Sequence, residues 1–374
     1  MSKKSIPVSP GKKQEKVLLV AVVDSKTERW RMIQSLEELA NLTRTAGGEV
    51  VESMMQIRQR FNPATLLGIG KARELQSVSK QLGIELLIFD AELSAAQIRN
   101  IEDIVGVRVI DRTTLILDIF SKHARTKEAK LQVELAQLEY RLPRLVGMGL
   151  EFSRLGGGIG TRGPGERKLE VDRRRIKERI STLKRMLKKI EHSKEVQRKR
   201  RVDIPKIAVV GYTNAGKSSL VNALTRSRLV TSEQLFSTLD SNTNVLFVPP
   251  DHKMLISDTV GFLKNLPHDL IASFHATLAE VLEADMLIHI VDATSEDLEE
   301  KIATVDSALV EIEAEKKPVI LVFNKIDRLF SEEKERCERK YPKAMFISAV
   351  KNTGLDMLKA RLRDHFFAKQ RVVS

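Results

Sequence analysis

A short glycine-rich stretch followed by a lysine and two serines is the clearest candidate for phosphate chemistry in this chain of 374 residues. It matches G-x-x-x-x-G-K-[ST] and comprises Gly211, Tyr212, Thr213, Asn214, Ala215, Gly216, Lys217, Ser218 and Ser219. The glycines let backbone N–H groups wrap the β-phosphate of a nucleoside triphosphate. Lys217 would neutralise the β- and γ-phosphates as a catalytic residue, and Ser218 would ligate Mg²⁺.

A second candidate for phosphate chemistry is a D-x-x-G sequence further along the chain. It consists of Asp258, Thr259, Val260 and Gly261. Asp258 would hold Mg²⁺ indirectly, through a water molecule that the metal binds. The backbone amide of Gly261 would sense the γ-phosphate, which makes Gly261 a second predicted catalytic position.

Two later segments carry the chemistry for recognising a base. The first is an N-K-x-D sequence, formed by Asn324, Lys325, Ile326 and Asp327. An aspartate takes two hydrogen bonds from guanine N1–H and the exocyclic amine, and adenine lacks both donors. Asp327 therefore predicts GTP and GDP as ligands, with Lys325 along the base and Asn324 bracing the loop. The second segment is Ser348, Ala349 and Val350, whose backbone amides would meet guanine O6.

Each of these motifs follows an apolar run that predicts a strand. The runs are 204–210, 254–257, 319–323 and 344–347. Carboxyl ends of parallel strands meet at one edge of a sheet, and open α/β sheets bind ligands there. The sequence therefore predicts that residues 202–374 form an α/β P-loop domain whose motifs converge on one nucleotide.

The N-terminal third of the chain has a β-α-β rhythm. Strands are predicted at 17–23, 49–55, 84–89 and 107–110, and helices at 26–46, 71–82 and from the cap Ser94 to 105. We expect a parallel α/β domain over 17–125 with helices on the sheet faces. Residues 68–71, Gly-Ile-Gly-Lys, open a helix and favour an ordinary turn over a phosphate site.

Basic residues are concentrated in one region. The chain has 63 Lys and Arg against 50 Asp and Glu, and residues 162–201 alone hold 17 basic and 6 acidic residues. Residues 1–16 are expected to form a flexible basic tail, whereas 202–374 is slightly acidic. Such a local excess predicts contact with nucleic acid, although a solvated charged helix is the ordinary alternative.

That basic region is predicted to be an antiparallel helical hairpin over 126–201. Leucines at spacings of 4, 3 and 4 give the first helix an apolar stripe, and Pro143 is expected to end it. The second helix is expected to begin near Gly165. The loop between them has six glycines, and the predicted RNA contacts are Arg154, Arg162, Arg173, Arg174 and Arg175.

Composition also limits the setting of the protein. A single cysteine, Cys337, excludes an intrachain disulfide framework and is typical of a reducing compartment. The longest apolar runs are about six residues, far short of a membrane span. We therefore expect a cytoplasmic monomer without stable membrane insertion. A GTPase that binds a membrane surface through its basic residues is the weakest of the alternatives.

The chain as a whole resembles the HflX family of ribosome-associated GTPases. The likeness covers about 17–350 and is carried by the segments FDAELS at 89–94, VIDRT at 109–113, ILDIF at 116–120, EAKLQVELAQL at 128–138 and GGGIGTRGPGE at 156–166. It implies an N-terminal α/β domain, a helical hairpin and a G domain. It also implies binding to the large ribosomal subunit and its rRNA, with GTP-dependent dissociation or recycling of ribosomes.

The resemblance assigns one further nucleotide-binding segment, the switch formed by Phe236, Ser237, Thr238, Leu239 and Asp240. On this match Thr238 ligates Mg²⁺ and is catalytic, whereas the residues alone leave Thr231, Thr238 and Thr243 open. Many members carry a further small C-terminal domain, for which we expect no counterpart here.

Two residues point to an unusual hydrolytic step. Phe262 follows the D-x-x-G sequence, where many GTPases carry a glutamine that orients water. Since a phenyl ring cannot hydrogen-bond water, we expect slow intrinsic hydrolysis. Asn214 resembles an asparagine that holds a monovalent cation in related GTPases, so K⁺ is a candidate helper beside Mg²⁺. The alternative function is an RNA-binding assembly or hibernation factor that uses hydrolysis as a timer.

Overall fold

The computed structural model describes residues 14–24, 29–152, 164–198, 204–225, 235–236, 242–264 and 275–367. The chain divides into two compact units. The N-terminal unit comprises 1–119 and 137–179, and the C-terminal unit comprises 120–136 and 180–374. The predicted domain boundaries at 16, 125 and 201 stay predictions. No helix in the described part of the chain is long and apolar enough to cross a membrane.

The N-terminal unit contains a parallel sheet flanked by helices. Its elements are β1 (Lys16–Asp24), α1 (Arg29–Ala46), β2 (Glu49–Arg58), α2 (Ile69–Leu82), β3 (Leu86–Phe89), α3 (Ala95–Val105) and β4 (Arg108–Asp111). The four described strands are ordered β2-β1-β3-β4, and every neighbouring pair is parallel. The predicted parallel α/β arrangement is confirmed.

Local sequence signals set the helix ends in this unit. Ser94 accepts a hydrogen bond from Gln97 N at the start of α3, and the Gln97 side chain accepts one from Ser94 N. This capping box is the arrangement expected of Ser followed three residues later by Gln. Gly83 ends α2 with φ +66°, a left-handed conformation that favours glycine.

Three helices connect the sheets in sequence. They are α4 (Arg112–His123), α5 (Lys127–Phe152) and α6 (Pro164–Arg198). Helix α4 was not predicted. The expectation that Pro143 ends the first helix is wrong, because α5 continues nine residues beyond it. The loop between α5 and α6, including Arg154 and Arg162, lies outside the described residues.

The residue after the internal proline of helix α5 is held on several sides. Proline lacks the N–H that would bond the carbonyl four residues earlier, yet the helix continues beyond Pro143. Arg144 Nη1 donates to Tyr140 O at 3.0 Å, and Nη2 donates to Leu93 O at 3.0 Å. The guanidinium also lies 3.3 Å from the centroid of the Tyr140 ring. These contacts fix Arg144 directly after the proline, which the isolated sequence could not indicate.

The C-terminal unit contains the second sheet. Its elements are β5 (Lys206–Gly211), α7 (Lys217–Thr225), β6 (Asn242–Val248), β7 (His252–Asp258), α8 (His275–Glu283), β8 (Met286–Asp292), α9 (Leu298–Glu311), β9 (Val319–Asn324), α10 (Ser331–Lys340), β10 (Met345–Phe346) and α11 (Leu355–Phe367). The described strands are ordered β10-β9-β8-β5-β7-β6, and β6 alone among them is antiparallel to its neighbour. Neither β6 nor β8 was predicted.

Apolar layers cover both faces of this sheet. One layer includes Val209, Ile288 and Leu220, and the other includes Ala208, Leu287 and Val305. Neighbouring residues of β5 and β8 alternate between the two layers, as a pleated strand requires. Because β5 is buried on both sides, its end at Gly211 is a fixed platform for the loop that follows.

Candidate nucleotide-binding site

The P-loop spans the turn from β5 to α7. A Cβ atom at Gly211 would lie 2.2 Å from Ile290 O, and one at Gly216 would lie 2.3 Å from Asn324 Nδ2. Gly216 also has φ +97°, in the region that favours glycine. Close packing and backbone conformation therefore require glycine at both ends of the loop. The loop's interior places Ala215 in the core and leaves Asn214 exposed, with φ +59°.

Lys217 is the first residue of α7 and is almost completely buried. Its Nζ donates to Tyr212 O at 2.9 Å and to Gly211 O at 3.3 Å. Burial lowers the pKa of Lys217 to about 8, and the carboxylate of Asp258 partly offsets that shift. A phosphate beside Nζ would favour the charged form further, so this is a cation held in place for an anion.

Ser218 and Asp258 form a pair of oxygen donors next to the lysine. Ser218 Oγ donates to Asp258 Oδ2 at 2.5 Å, and both side chains are buried. Asp258 is the last residue of β7, which pairs directly with β5. A hydroxyl and a carboxylate are ligands that Mg²⁺ prefers, so the residues present fit a magnesium ion bound together with phosphates.

The D-x-x-G segment lies against the P-loop. Phe262 N donates to Gly211 O at 3.1 Å, and Thr213 N donates to Phe262 O at 2.9 Å. Thr259 Oγ1 donates to Val209 O at 2.7 Å, while Val260 is buried. The structure thus brings the two phosphate motifs together.

Gly261 itself has no room for a side chain. A Cβ there would lie 2.9 Å from Lys217 Nζ and 2.8 Å from Thr213 Cγ2. The backbone of Gly261 is therefore in direct contact with the cationic end of the P-loop. The two groups predicted to contact the γ-phosphate, which the sequence separates by 44 positions, converge at one point.

Asn324 connects the P-loop to the last loop of the site. Its Nδ2 donates to Ala215 O at 3.0 Å, and its Oδ1 accepts from Ala349 N at 3.0 Å. Asn324 is buried at the end of β9. These two bonds give the amide the bracing contacts expected of it. Ser348 N donates to Thr353 O, and Val350 is largely exposed.

Asp327 and Lys325 lie in the turn after β9. Ser348 Oγ donates to Asp327 Oδ1 at 2.6 Å, and this bond is the main cause of a lowered pKa of Asp327. The carboxylate therefore stays ionised and accepts hydrogen bonds, as guanine recognition requires. Ile326 N donates to Ile347 O at 3.3 Å and joins this turn to the Ser348 loop.

Lys325 has a partner that the sequence analysis missed. Its Nζ lies 2.6 Å from Asp292 Oδ2, and both side chains are mostly buried. Lys325 has φ +65°, which turns the chain sharply after the strand. Asp292 ends β8, the unpredicted strand between β5 and β9. An aspartate directly after the apolar run 286–291 was the available signal.

The remaining predicted residues divide into described and undescribed ones. Ser237, Thr238, Leu239 and Asp240 lie outside the described residues. Phe236 is described: it is buried, with φ +57°, and its ring packs edge-on against Phe120 at 4.6 Å. Arg173, Arg174 and Arg175 are exposed on α6. Among the described residues, Arg174 and Arg175 form long ion pairs of 3.9 Å, which contribute little in solvent.

The fold and the converging motifs define a P-loop GTPase. Three family models match: GTP-binding GTPase N-terminal at 33–121, GTP-binding GTPase Middle Region at 123–201 and 50S ribosome-binding GTPase at 206–325. Together they cover most of the chain. The first two match the N-terminal and basic regions, and the third matches the sequence from β5 to the N-K-x-D turn.

Full-length relatives identify the family. The chain is 46% identical to GTPase HflX of Caldanaerobacter subterraneus, over 96% of this chain and 83% of that protein. It is 42% identical to GTPase HflX of Escherichia coli, over 87% and 78%. A GTP-binding protein from Sulfolobus solfataricus, solved with GDP, is 26% identical over 92% and 97%, with a TM-score of 0.46. The chain belongs to the HflX family and is a GTP-binding, GTP-hydrolysing enzyme.

Proposed function

We propose that this GTPase binds the large ribosomal subunit through its rRNA and uses its nucleotide state to promote ribosome dissociation or recycling. The observation that carries the proposal is the exposed basic helix α6 in the same chain as the GTP site. Residues 162–201 hold 17 basic and 6 acidic residues. A sign bias of this size favours a polyanion over a solvated helix of mixed charge. The family model at 206–325 is described as a ribosome-binding GTPase, which supports the same partner.

Each arginine has a role in this proposal. Arg173, Arg174 and Arg175 would contact phosphates from successive positions around one turn of α6, because guanidinium groups bind phosphate in a bidentate manner. Arg154 and Arg162 would extend the contact at the glycine-rich loop, where a backbone without side chains can approach RNA closely. We propose that the protein acts in the cytoplasm, where such a partner is found, and that it acts as a monomer.

At the nucleotide, Lys217 would bind the β- and γ-phosphates, and the amide of Gly261 would bind the γ-phosphate. Residues 211–219 would enclose the phosphates through their amides. Mg²⁺ would be held by Ser218 and Thr238, with Asp258 acting through water, and would neutralise charge that develops on the phosphates. The segment 236–240 would order around the γ-phosphate, while 258–261 respond to it.

At the base, Asp327 would accept from guanine N1–H and the exocyclic amine. Asn324, Lys325 and Ile326 would form the floor and wall of the base site, and residues 348–350 would face O6. The short bond from Ser348 Oγ to Asp327 Oδ1 keeps the second carboxylate oxygen available for guanine.

The hydrolytic step would need help from outside this chain. Phe262 is buried against the apolar layer of β5 and α9 and presents no hydrogen-bonding group to water. We therefore propose slow hydrolysis that accelerates on the ribosome. We propose that Asn214, which is exposed on the P-loop with φ +59°, would hold K⁺ beside the phosphates.

Subunit separation tests the proposed function. Stoichiometric protein with a non-hydrolysable GTP analogue is mixed with intact ribosomes, and the products are resolved on a sucrose gradient. The proposal predicts free subunits with the analogue and few with GDP. Ribosomes that stay intact in both states, while the protein binds them and hydrolyses GTP, would instead favour an assembly or hibernation factor.

A further inference from the structure

The P-loop carries a tyrosine whose side chain its phosphate motif does not use. At Tyr212 the motif needs only a backbone amide, so the sequence pattern accepts any residue there. In the structure the ring of Tyr212 is buried, and its hydroxyl accepts a hydrogen bond from Lys264 N at 2.9 Å. Lys264 follows the D-x-x-G motif by three residues, so this bond joins the two phosphate segments.

The hydroxyl bond is the third in a row. Phe262 N donates to Gly211 O at 3.1 Å, Thr213 N donates to Phe262 O at 2.9 Å, and Lys264 N donates to the Tyr212 hydroxyl. The first two join backbone to backbone and are available to almost any sequence. The third depends on a hydroxyl at the tip of a long side chain, and it therefore depends on tyrosine.

The Tyr212 ring is itself held in position from α9. Lys301 Nζ lies 5.4 Å from the ring centroid, within the range of a cation–π contact. Lys301 is fixed by Asp297 at 2.8 Å and by Ser295 Oγ at 3.0 Å. Tyr212 therefore connects α9 to the segment after Gly261. Its ring contacts Lys301, and its hydroxyl is hydrogen-bonded to Lys264 N.

These three hydrogen bonds restrict the position of Gly261. Its backbone lies between Phe262, which is hydrogen-bonded to the P-loop, and the ammonium of Lys217, with no space for even a Cβ atom. Holding residues 262–264 to the P-loop keeps the backbone of Gly261 beside Lys217. GTP would use that amide through its γ-phosphate, whereas GDP has no γ-phosphate to place there.

We propose that Tyr212 is a positioning residue that preorganises the Gly261 amide for the γ-phosphate and so favours GTP over GDP. The inference rests on the phosphate roles proposed above for Lys217 and Gly261. It assigns to the Tyr212 side chain a discriminating role that the P-loop motif itself does not contain. Preorganisation lowers the entropy lost on binding, so its removal weakens only the ligand that uses the ordered group.

The test is the variant Tyr212→Phe, which keeps the ring and its contact with Lys301 and removes the hydroxyl alone. Affinities for GDP and for a non-hydrolysable GTP analogue are measured by calorimetry, and single-turnover hydrolysis is followed with saturating GTP. We expect unchanged GDP affinity, analogue affinity weakened about fivefold, and a slower single turnover. Equal weakening of both nucleotides, or no change in either, would overturn the proposal.

Lys264→Met is the matched control. It removes the ion pair between Lys264 Nζ and Glu300 Oε1 at 2.5 Å but keeps the backbone N–H that donates to Tyr212. The ratio of analogue to GDP affinity should equal that of the wild type. A shift as large as that of Tyr212→Phe would assign the ordering to the ion pair and refute the role of the hydroxyl.

Gly261→Ala separates this inference from the site assignment beneath it. The added methyl overlaps Lys217 Nζ and Thr213, so it should lower analogue affinity more than GDP affinity, because only the analogue also uses the Gly261 amide. If Gly261→Ala leaves the analogue-to-GDP ratio unaltered, the γ-phosphate role of Gly261 is wrong, and the proposal for Tyr212 fails with it. If Gly261→Ala shifts the ratio and Tyr212→Phe does not, only the inference about Tyr212 fails.

Discussion

The polar residues at the carboxyl edges of the two sheets have different kinds of partner. In the N-terminal unit, Asp111 ends β4 and is completely buried. It accepts from Leu93 N at 3.2 Å, Thr114 N at 2.9 Å and the hydroxyl of Tyr140, with Arg144 Nη2 at 3.3 Å. The chain itself supplies the donors and the counter-charge, so this carboxylate is a structural residue.

The same pattern extends to the neighbouring strand of that unit. Asp90 follows β3 and pairs with Arg112 Nη1 at 2.7 Å, and Arg112 also binds Glu38. Burial, followed by the charge of Asp111, raises the pKa of Tyr140, which keeps the phenol protonated as a donor. In this network the carboxylates accept hydrogen bonds from cations and from N–H and O–H donors of the chain itself, which stabilises the sheet edge.

In the C-terminal unit, the chain compensates the buried charge of Lys217 less completely. Lys217 is buried beside backbone carbonyls, and Asp258, the carboxylate whose charge acts on it, bonds to Ser218. Burial lowers the pKa of Lys217 by more than the charge of Asp258 raises it. The comparison teaches that an aspartate at the carboxyl edge of a parallel sheet is not in itself a binding site. A binding site is indicated where a buried charge, such as that of Lys217, is not fully balanced by the chain and can be balanced by a ligand.

Lys217→Ala should give the largest functional effect. Removing the buried cation deprives two phosphates of their counter-charge, so affinity for GTP and GDP should fall about a hundredfold or more. Calorimetric titration of both nucleotides measures the loss. The fold should be intact by circular dichroism, because the substitution removes a poorly compensated charge. Unchanged GTP affinity would refute the P-loop assignment.

Asp111→Ala should give the reverse outcome. It leaves the buried Tyr140 hydroxyl without its acceptor and removes the carboxylate that faces Arg144, so the N-terminal unit should lose roughly 3 kcal/mol of unfolding free energy. Urea unfolding measures this loss. GTP affinity should match that of the wild type, and a large drop in it would mean that the two sheet edges do not have separate roles.

Asp327→Asn should change specificity rather than stability. The amide keeps an oxygen for the bond from Ser348 Oγ but replaces a guanine acceptor with an N–H donor. GTP affinity should fall about thirtyfold, and xanthosine triphosphate, which has a carbonyl in place of the exocyclic amine, should bind better than GTP. Competition between the two nucleotides measures the switch. Retained guanine preference would move base recognition away from Asp327.

His289 should make the C-terminal unit acid-sensitive. Its Nε2 is buried without a hydrogen-bond partner among the described residues, and its Nδ1 lies 3.7 Å from Asp306 Oδ1. Burial, aided by the charge of Lys217, lowers the pKa of His289 from 6.5 to about 4. The unfolded chain thus binds the proton first as pH falls from 6.5 towards 4, and unfolding free energy drops by up to about 1.4 kcal/mol per pH unit.

His289→Leu measures that contribution, because other carboxylates titrate in the same range. The difference in unfolding free energy between wild type and variant should change between pH 6.5 and pH 4 and stay constant above pH 7. A difference that is independent of pH would show that His289 does not titrate on unfolding.

The sequence was sufficient for the residues whose motif is local. Gly211, Gly216, Lys217 and Ser218 form one loop, and the strand before that loop is an apolar run. The capping box of α3 was likewise readable from Ser94 and Gln97, because both partners lie within one turn. In each case the physical requirement is set by near neighbours in the chain.

Features that depend on distant partners were not predictable in this way. Arg144, next to Pro143 in α5, donates to Leu93 O, and Lys325 pairs with Asp292 from another strand. The bond from Lys264 N to the Tyr212 hydroxyl spans 52 positions. Spacing in sequence carries no information about such contacts.

The central proposal is that the basic residues of α6 bind RNA, whereas the loops at the edge of the C-terminal sheet bind GTP. The decisive measurement uses a variant in which Arg173, Arg174 and Arg175 are changed to glutamine. Its co-sedimentation with large ribosomal subunits is measured across a salt series. Changing the exposed residues Arg336, Arg339 and Lys343 to glutamine gives a control with the same loss of charge. The account predicts weaker binding with a flatter salt dependence for the first variant only, and unchanged GTP affinity in both. Equal ribosome binding by both variants would contradict it.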